Sequence, residues 1–244
     1  MKKQNNVLLF ENLSQFDSVI HGFSTRFFGD MRPSHHLYPQ SIKKFTDALG
    51  VSQQRLVKMD QVHGSTVFLA TDKDCGTTIP ETDGLLTENP DIFLGVVTAD
   101  CVPLLMYDPE KKYAAVVHAG WRGLFKEIIK EGVSRFVEKG SDPKDLIVGI
   151  GPCIRSCHYD IAEAHAHQFL EKFPGWKEFI IEREGKFFFD LPGVARYQLE
   201  SADVSSDNIE DGDYCTFEHE DIYSCRKEGE GFGEMMGIIG RQGK

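Results

Sequence analysis

No run in the chain approaches the roughly 20 consecutive apolar residues that a membrane-spanning helix needs, so no membrane partner is expected. The one N-terminal apolar run, Val7-Leu8-Leu9-Phe10, stops at Glu11 and is too short for the core of a secretory signal, which points to the cytoplasm. Basic tracts are also missing. The longest are pairs such as Lys43-Lys44 and Lys111-Lys112, and 27 Lys plus Arg face 38 Asp plus Glu for a net charge of −11. A surface of that sign repels a phosphate backbone, which argues against nucleic-acid binding. Cysteine is sparse, with six residues scattered through 244, so a disulfide framework is not indicated and each thiol becomes a candidate for metal binding or nucleophilic work. Repeats and low-complexity segments are absent. What remains is 41% hydrophobic residues, including 18 Phe, enough to build a sizeable core.

Residues 1–244 read as one α/β domain with a mixed sheet covered by helices. Strands are expected at Val7–Phe10, Val19–Phe23, Leu56–Met59 and Thr66–Ala70. Three apolar runs, Ile92–Thr98, Val102–Tyr107 and Tyr113–His118, have the character of strands buried on both faces. Leu146–Ile150, Phe187–Phe189, Tyr214–Phe217, Ile222–Cys225 and Met236–Ile239 complete the set. Helices are expected at Gln40–Leu49, closed by Gly50, at Ile161–Phe173 and at Gly193–Ala202. Another is expected over Leu124–Glu138, where positions 124, 128, 129, 133, 136 and 137 form one apolar stripe.

Chemistry concentrates where apolar runs break at polar, turn-forming residues. His63 follows a strand in Gln61-Val62-His63-Gly64, and Cys101 sits between two buried strands in Thr98-Ala99-Asp100-Cys101. His118 ends a strand before Ala119-Gly120-Trp121-Arg122-Gly123. In α/β sheets, functional groups gather on the loops that cap strand ends. One thiolate and two imidazoles suit zinc, and three protein ligands are the catalytic rather than the structural pattern. Taken singly, His63 also reads as a turn residue, Cys101 as a small apolar filler and His118 as a core histidine. Cys153, Cys157 and His158 offer either a second metal site or, the preferred reading, a loop with two buried thiols.

Four blocks occur in order: Gln61-Val62-His63-Gly64, Thr98-Ala99-Asp100-Cys101-Val102-Pro103, His118-Ala119-Gly120-Trp121-Arg122-Gly123 and Gly149-Ile150-Gly151-Pro152-Cys153-Ile154. Together they resemble the laccase-domain family, the YfiH-like proteins once called multicopper polyphenol oxidases. The similarity extends from Gly22-Phe23-Ser24-Thr25-Arg26 to Ser224-Cys225-Arg226-Lys227. The resemblance implies a single α/β domain with zinc on His63, Cys101 and His118. It also implies phosphorolysis of adenosine, inosine, guanosine and methylthioadenosine, with adenosine deamination, so nucleosides and phosphate are the expected partners of a monomer or homodimer. The pattern is altered in places. After Arg26 the chain runs Phe27-Phe28-Gly29-Asp30 in place of a Gly-Gly pair, the usual Asn-Leu-Gly stretch is absent, and a usual Gly-Arg-Met-Ala reads Gly233-Glu234-Met235-Met236.

Multicopper oxidase chemistry requires several paired His-x-His ligands, and only His165-Ala166-His167 has that spacing, on an expected helix where such neighbours point apart. Copper binding would therefore be adventitious. The nucleobase-deaminase zinc signature, His-x-Glu with Pro-Cys-x-x-Cys, is absent as well. Zinc held by one thiolate and two imidazoles can bring the pKa of a bound water to about 7. Arg26 and Arg226 are the candidates for oxyanions, Asp100 for orienting a ligand or taking a proton, and Trp121 for stacking on a base or packing on the following helix. Two alternatives stay open: a metal-free hydrolase with Cys101 as nucleophile and His118 as base, and a zinc-binding regulatory protein without catalysis.

Overall fold

The computed structural model describes residues 1–243. Its strands divide between two large sheets. One runs from edge to edge through Lys2–Gln4, Val7–Leu9, Val19–Phe23, Met235–Arg241, Phe93–Thr98, Leu56–Met59 and Thr78–Ile79. The other runs through Ile209–Asp211, Ile147–Ile150, Val102–Tyr107, Ala114–Ala119, Gly84–Thr87 and Val67–Leu69. A small third sheet holds Asp160–Ile161, Lys186–Phe189 and Ile180–Arg183. Both large sheets are mixed: Met235–Arg241 pairs antiparallel with its two neighbours, whereas Leu56–Met59 lies parallel to Phe93–Thr98. The expected α/β class with mixed pairing is present, with the strands shared among stacked sheets instead of one.

The stacking explains the continuous apolar runs. Along Val102–Tyr107, Val102, Leu104 and Met106 face helices while Leu105 and Tyr107 face the other sheet. Along Phe93–Thr98, Leu94 and Val96 enter the space between the sheets, and Phe93 packs on the opposite face with Ile42 and Phe45 of the helix Tyr38–Leu49. With both faces of each strand covered, alternation of polar and apolar residues disappears from the sequence. The third layer of core lies outside the second sheet, where Ile129, Val133 and Phe136 of one helix and Val194, Ala195 and Leu199 of another pack on Ala115 and Val117.

Three expectations need correction. The helix expected over Leu124–Glu138 is two helices, Trp121–Phe125 and Ile128–Glu138, joined at Glu127 with φ of 60°. The Leu124 carbonyl, which a continuous helix would offer to the residue 128 amide, instead accepts from Gln198 Nε2 at 2.8 Å and from the Glu127 amide at 2.9 Å. The apolar stripe survives the break because Leu124, Ile128 and Ile129 still face the sheet. Tyr214–Phe217 is not a strand; it touches the sheet through one bridge between Cys153 and Cys215 and then turns. Ile222–Cys225 leads into a helical turn, Cys225–Glu228, whose Lys227 amide is capped by Ser224. Among the described residues, no helix is long and apolar enough to cross a membrane.

Candidate metal centre

The crossings between the two large sheets bring the site together. His63 lies on the connection from Leu56–Met59 in the first sheet to Val67–Leu69 in the second. Cys101 lies on the three-residue turn from Phe93–Thr98 in the first to Val102–Tyr107 in the second. His118 is near the end of Ala114–Ala119, directly opposite Pro103, so strand register places it beside the Cys101 turn. The donor atoms of His63, Cys101 and His118 all lie within 4.8 Å of one another. His63 Nε2 is 3.8 Å from Cys101 Sγ, and the two imidazole centroids are 4.8 Å apart.

Close approach here requires glycine. A Cβ on Gly120 would stand 2.8 Å from Cys101 Sγ and 2.9 Å from His63 Cδ2. The two turn residues that deliver the donors also have positive φ, 56° at His63 and 92° at Asp100. Such conformations persist only where surrounding contacts hold them. At Asp100 those contacts are Thr216 Oγ1, which donates to Oδ1 at 2.5 Å, and the Arg226 amide, which donates to Oδ2 at 2.7 Å.

Asp83, absent from the sequence-based candidates, organises the centre. Fully buried, it accepts a hydrogen bond from His118 Nδ1 at 2.9 Å and from the backbone amides of Val62, His63 and Gly64 at 3.2, 2.9 and 2.6 Å. Its own carbonyl accepts the His118 amide at 2.8 Å. Burial alone would raise the Asp83 carboxyl, but the His118 hydrogen bond and the loop amides hold it below the usual carboxylate range. With Nδ1 committed to Asp83, the other ring nitrogen of His118 is the one left to act as donor. Burial likewise opposes charge on Cys101 and His118. Their mutual attraction prevails, holding the thiol down at about 6 with help from His63, and the imidazole up at about 9 with help from Asp83.

Beside these donors lies a cavity of about 420 Å³, within the range of small-molecule sites, lined also by Asp60, Gln61, Cys225, Phe232 and Glu234. Burial, with Asp30 nearby, pushes the Glu234 carboxyl up. Of the stretch Gly233-Glu234-Met235-Met236, Glu234 lies on the cavity wall.

The remaining candidates are placed around this centre rather than in the cavity lining. The Arg226 guanidinium pairs with Asp160 and lies 5.0 Å from the Tyr159 ring centroid. Arg26 pairs with Glu228, donates from Nε to the Ile222 carbonyl at 2.7 Å and covers the Tyr223 ring at 4.2 Å. The Trp121 indole meets His165 at 5.0 Å and Phe169 at 5.7 Å, so it packs on the later helix Glu163–Lys172 and not, as expected, on the helix that follows it. His165 and His167 diverge as expected, the first onto Trp121 and the second beside Glu163. Cys153 is fully buried, and burial pushes its thiol well up; it does not join Cys157 and His158, which instead meet Cys215 and Glu218.

The comparisons with known proteins agree with this architecture. A family model described as multi-copper polyphenol oxidoreductase laccase matches residues 35–242. A purine nucleoside phosphorylase from Deinococcus radiodurans is 35% identical over 79% of this chain and 73% of its own length. The Bacillus subtilis purine nucleoside phosphorylase YlmD is 30% identical over 97% of this chain and 90% of its own. Among solved structures, the hypothetical protein YfiH of Bacillus licheniformis superposes with a TM-score of 0.88 at 29% identity, covering 98% of this chain and 97% of its own. YlmD from Geobacillus stearothermophilus shares the fold with a TM-score of 0.90 at 24% identity, covering 100% and 98%. The chain therefore belongs to the multi-copper polyphenol oxidoreductase laccase family, also known through its YfiH-like members.

Proposed function

We propose that residues 1–244 form one catalytic domain, a zinc-dependent purine nucleoside phosphorylase acting on adenosine, inosine, guanosine and methylthioadenosine and also deaminating adenosine. The observation that carries this reading is the convergence of His63, Cys101 and His118 on the wall of a cavity of small-molecule size. The names of the Deinococcus and Bacillus relatives supply the substrate class. Zinc fits the donor set, one soft thiolate and two imidazoles, better than magnesium or calcium, which prefer oxygen. Bound there, it supplies Lewis-acid polarisation of a substrate or water oxygen.

The chain's own groups supply the rest. Asp83 holds His118 in one orientation and fixes the loop that carries His63. Glu234, with its carboxyl pushed up toward the neutral form, donates a proton to a ring nitrogen of the departing purine as negative charge develops on the base. Phe232 offers an apolar surface to the base in the same cavity. Arg226 and Arg26 receive phosphate oxygens by exchanging them for Asp160 and Glu228, since guanidinium binds either anion through paired N–H donors. Asp100 shapes the Cys101 turn through its bonds to Thr216 and Arg226.

The test incubates zinc-loaded protein with each nucleoside and phosphate and measures free base and ribose 1-phosphate, with inosine formation from adenosine as the deamination readout. Wild-type turnover with loss in His118→Ala and Glu234→Gln is expected. Equal rates in wild type and His118→Ala would refute the assignment. One observation favours a second reading, the metal-free Cys-His hydrolase: Cys101, His118 and Asp83 form a chain of thiol, imidazole and carboxylate. Turnover that survives chelator treatment and is abolished by alkylation of Cys101 would select it. Full zinc occupancy without turnover of any nucleoside would select the non-catalytic regulatory reading.

A further inference from the structure

A second group of metal-binding side chains lies outside the centre described above. Cys157, His158, Cys215 and Glu218 place one donor atom each within 4.8 Å of the others. Two hydrogen-bonded turns deliver them. In the first, the amides of His158 and Tyr159 both donate to the Arg155 carbonyl, at 2.9 and 3.0 Å. In the second, the amides of Glu218 and His219 both donate to the Cys215 carbonyl, at 3.2 and 3.1 Å. Bridge pairing between Cys153 and Cys215 aligns the two segments, and Arg155 is anchored by Asp211, with Nη1 to Oδ2 at 3.0 Å. The His158 ring stacks on Phe217 with centroids 4.3 Å apart and planes 13° from parallel, which fixes its edge toward the cysteines.

The sulfur–sulfur spacing equals the edge of a zinc tetrahedron, and the Cys157–His158 spacing is about half an ångström shorter than its edge. With Zn–S of about 2.3 Å and Zn–N of about 2.0–2.1 Å, two sulfurs on one zinc stand about 3.8 Å apart, and a sulfur and a nitrogen about 3.6 Å. Cys157 Sγ and Cys215 Sγ are 3.8 Å apart, His158 Nδ1 is 3.1 Å from Cys157 Sγ and 3.5 Å from Glu218 Oε1. A sulfur separation of 3.8 Å is far beyond the roughly 2.05 Å of a disulfide.

We propose that Cys157, His158, Cys215 and Glu218 form a second, structural metal site that takes a zinc-class divalent cation. Two thiolates, one imidazole and one carboxylate close a four-coordinate shell from protein alone, the structural rather than the catalytic pattern. The ion cross-links residues 58 positions apart. It also acts on the first centre from outside: Thr216, next to Cys215, donates to Asp100, and Asp100 shapes the turn that carries Cys101. Occupancy of the second site therefore braces the wall of the first.

Reduced, metal-stripped full-length protein carrying Cys101→Ala is titrated with cobalt(II), since that substitution removes the thiolate of the first centre. One cobalt per chain with intense thiolate-to-cobalt absorption is expected. Adding Cys157→Ser, at an exposed position, abolishes that absorption, and Glu218→Gln weakens binding by about tenfold or more. A measurement on wild type needs no variant: zinc slows alkylation of Cys157, read by peptide mass spectrometry. Failure of the Cys101→Ala protein to take up cobalt, absorption that persists after Cys157→Ser, or alkylation of Cys157 at the same rate with and without zinc would each overturn the proposal.

Discussion

His118 and Asp83 share a buried hydrogen bond of 2.9 Å, from Nδ1 to Oδ1, while the same carboxylate receives three amides from the loop that carries His63. One side chain thus holds two of the three candidate ligands at once. Asp83→Asn keeps the shape but removes the charge and part of the accepting capacity. Zinc affinity should fall by about 10- to 100-fold, measured by competition with a chromophoric chelator. Unchanged affinity would show that Asp83 serves folding alone.

Gly120 is the close-approach point of the centre. Gly120→Ala drives a methyl group against Cys101 and His63, and the donor atoms must separate. The expected result is zinc affinity lowered by about tenfold or more and a stability loss of about 1–3 kcal/mol by denaturant unfolding. Wild-type zinc affinity in this variant would mean that the loop bearing His63 yields without cost.

Thr216 and Asp100 are both buried, and their hydrogen bond joins the 214–218 segment to the Cys101 turn. Thr216→Val preserves volume but leaves one carboxylate oxygen short of a donor. A loss of about 1–3 kcal/mol is expected in urea unfolding, with Thr216→Ser restoring most of it. Equal stability of the Val and Ser variants would refute the role of the hydroxyl.

His21 provides a pH dependence away from both clusters of candidate metal ligands. Its ring is buried next to Phe10, and burial lowers its pKa to about 4, partly offset by the hydrogen bond to the Phe10 carbonyl. The unfolded chain takes up this proton near 6.5, before the folded one does. The contribution to stability is therefore complete above about pH 6.5 and is lost as pH falls toward 4, on the order of 3 kcal/mol over that window. Unfolding free energy measured from pH 7 to 4 should decline less steeply in His21→Asn. Parallel curves for the two proteins would exclude His21 as the source.

Much of this molecule could be read along the chain. Apolar runs such as Val102–Tyr107 located buried strands without reference to any partner, because a strand covered on both faces must be apolar at every position. The breaks at His63, Cys101 and His118 marked where strands end in polar turns. The short edge strands Lys2–Gln4, Thr78–Ile79 and Ile209–Asp211 were not visible, since two or three residues carry no period and exist only through their neighbours. The break at Glu127 was hidden for a related reason: Gln198, 74 positions away from Leu124, supplies a competing hydrogen bond.

The two clusters of candidate metal ligands divide along the same line. Residue type nominated His63, Cys101 and His118, but it could not nominate Asp83, an acidic residue before Gly84 whose partners lie 19 to 35 positions away. It left Cys153, Cys157 and His158 as a second metal site or, preferably, a loop with two buried thiols, whereas Cys153 is buried but Cys157 is exposed and meets Cys215 and Glu218. Local patterns report what each segment must bury. Which donors meet is settled by sheet register and by crossings between stacked sheets, and those depend on hydrogen bonds between residues that the chain itself keeps far apart.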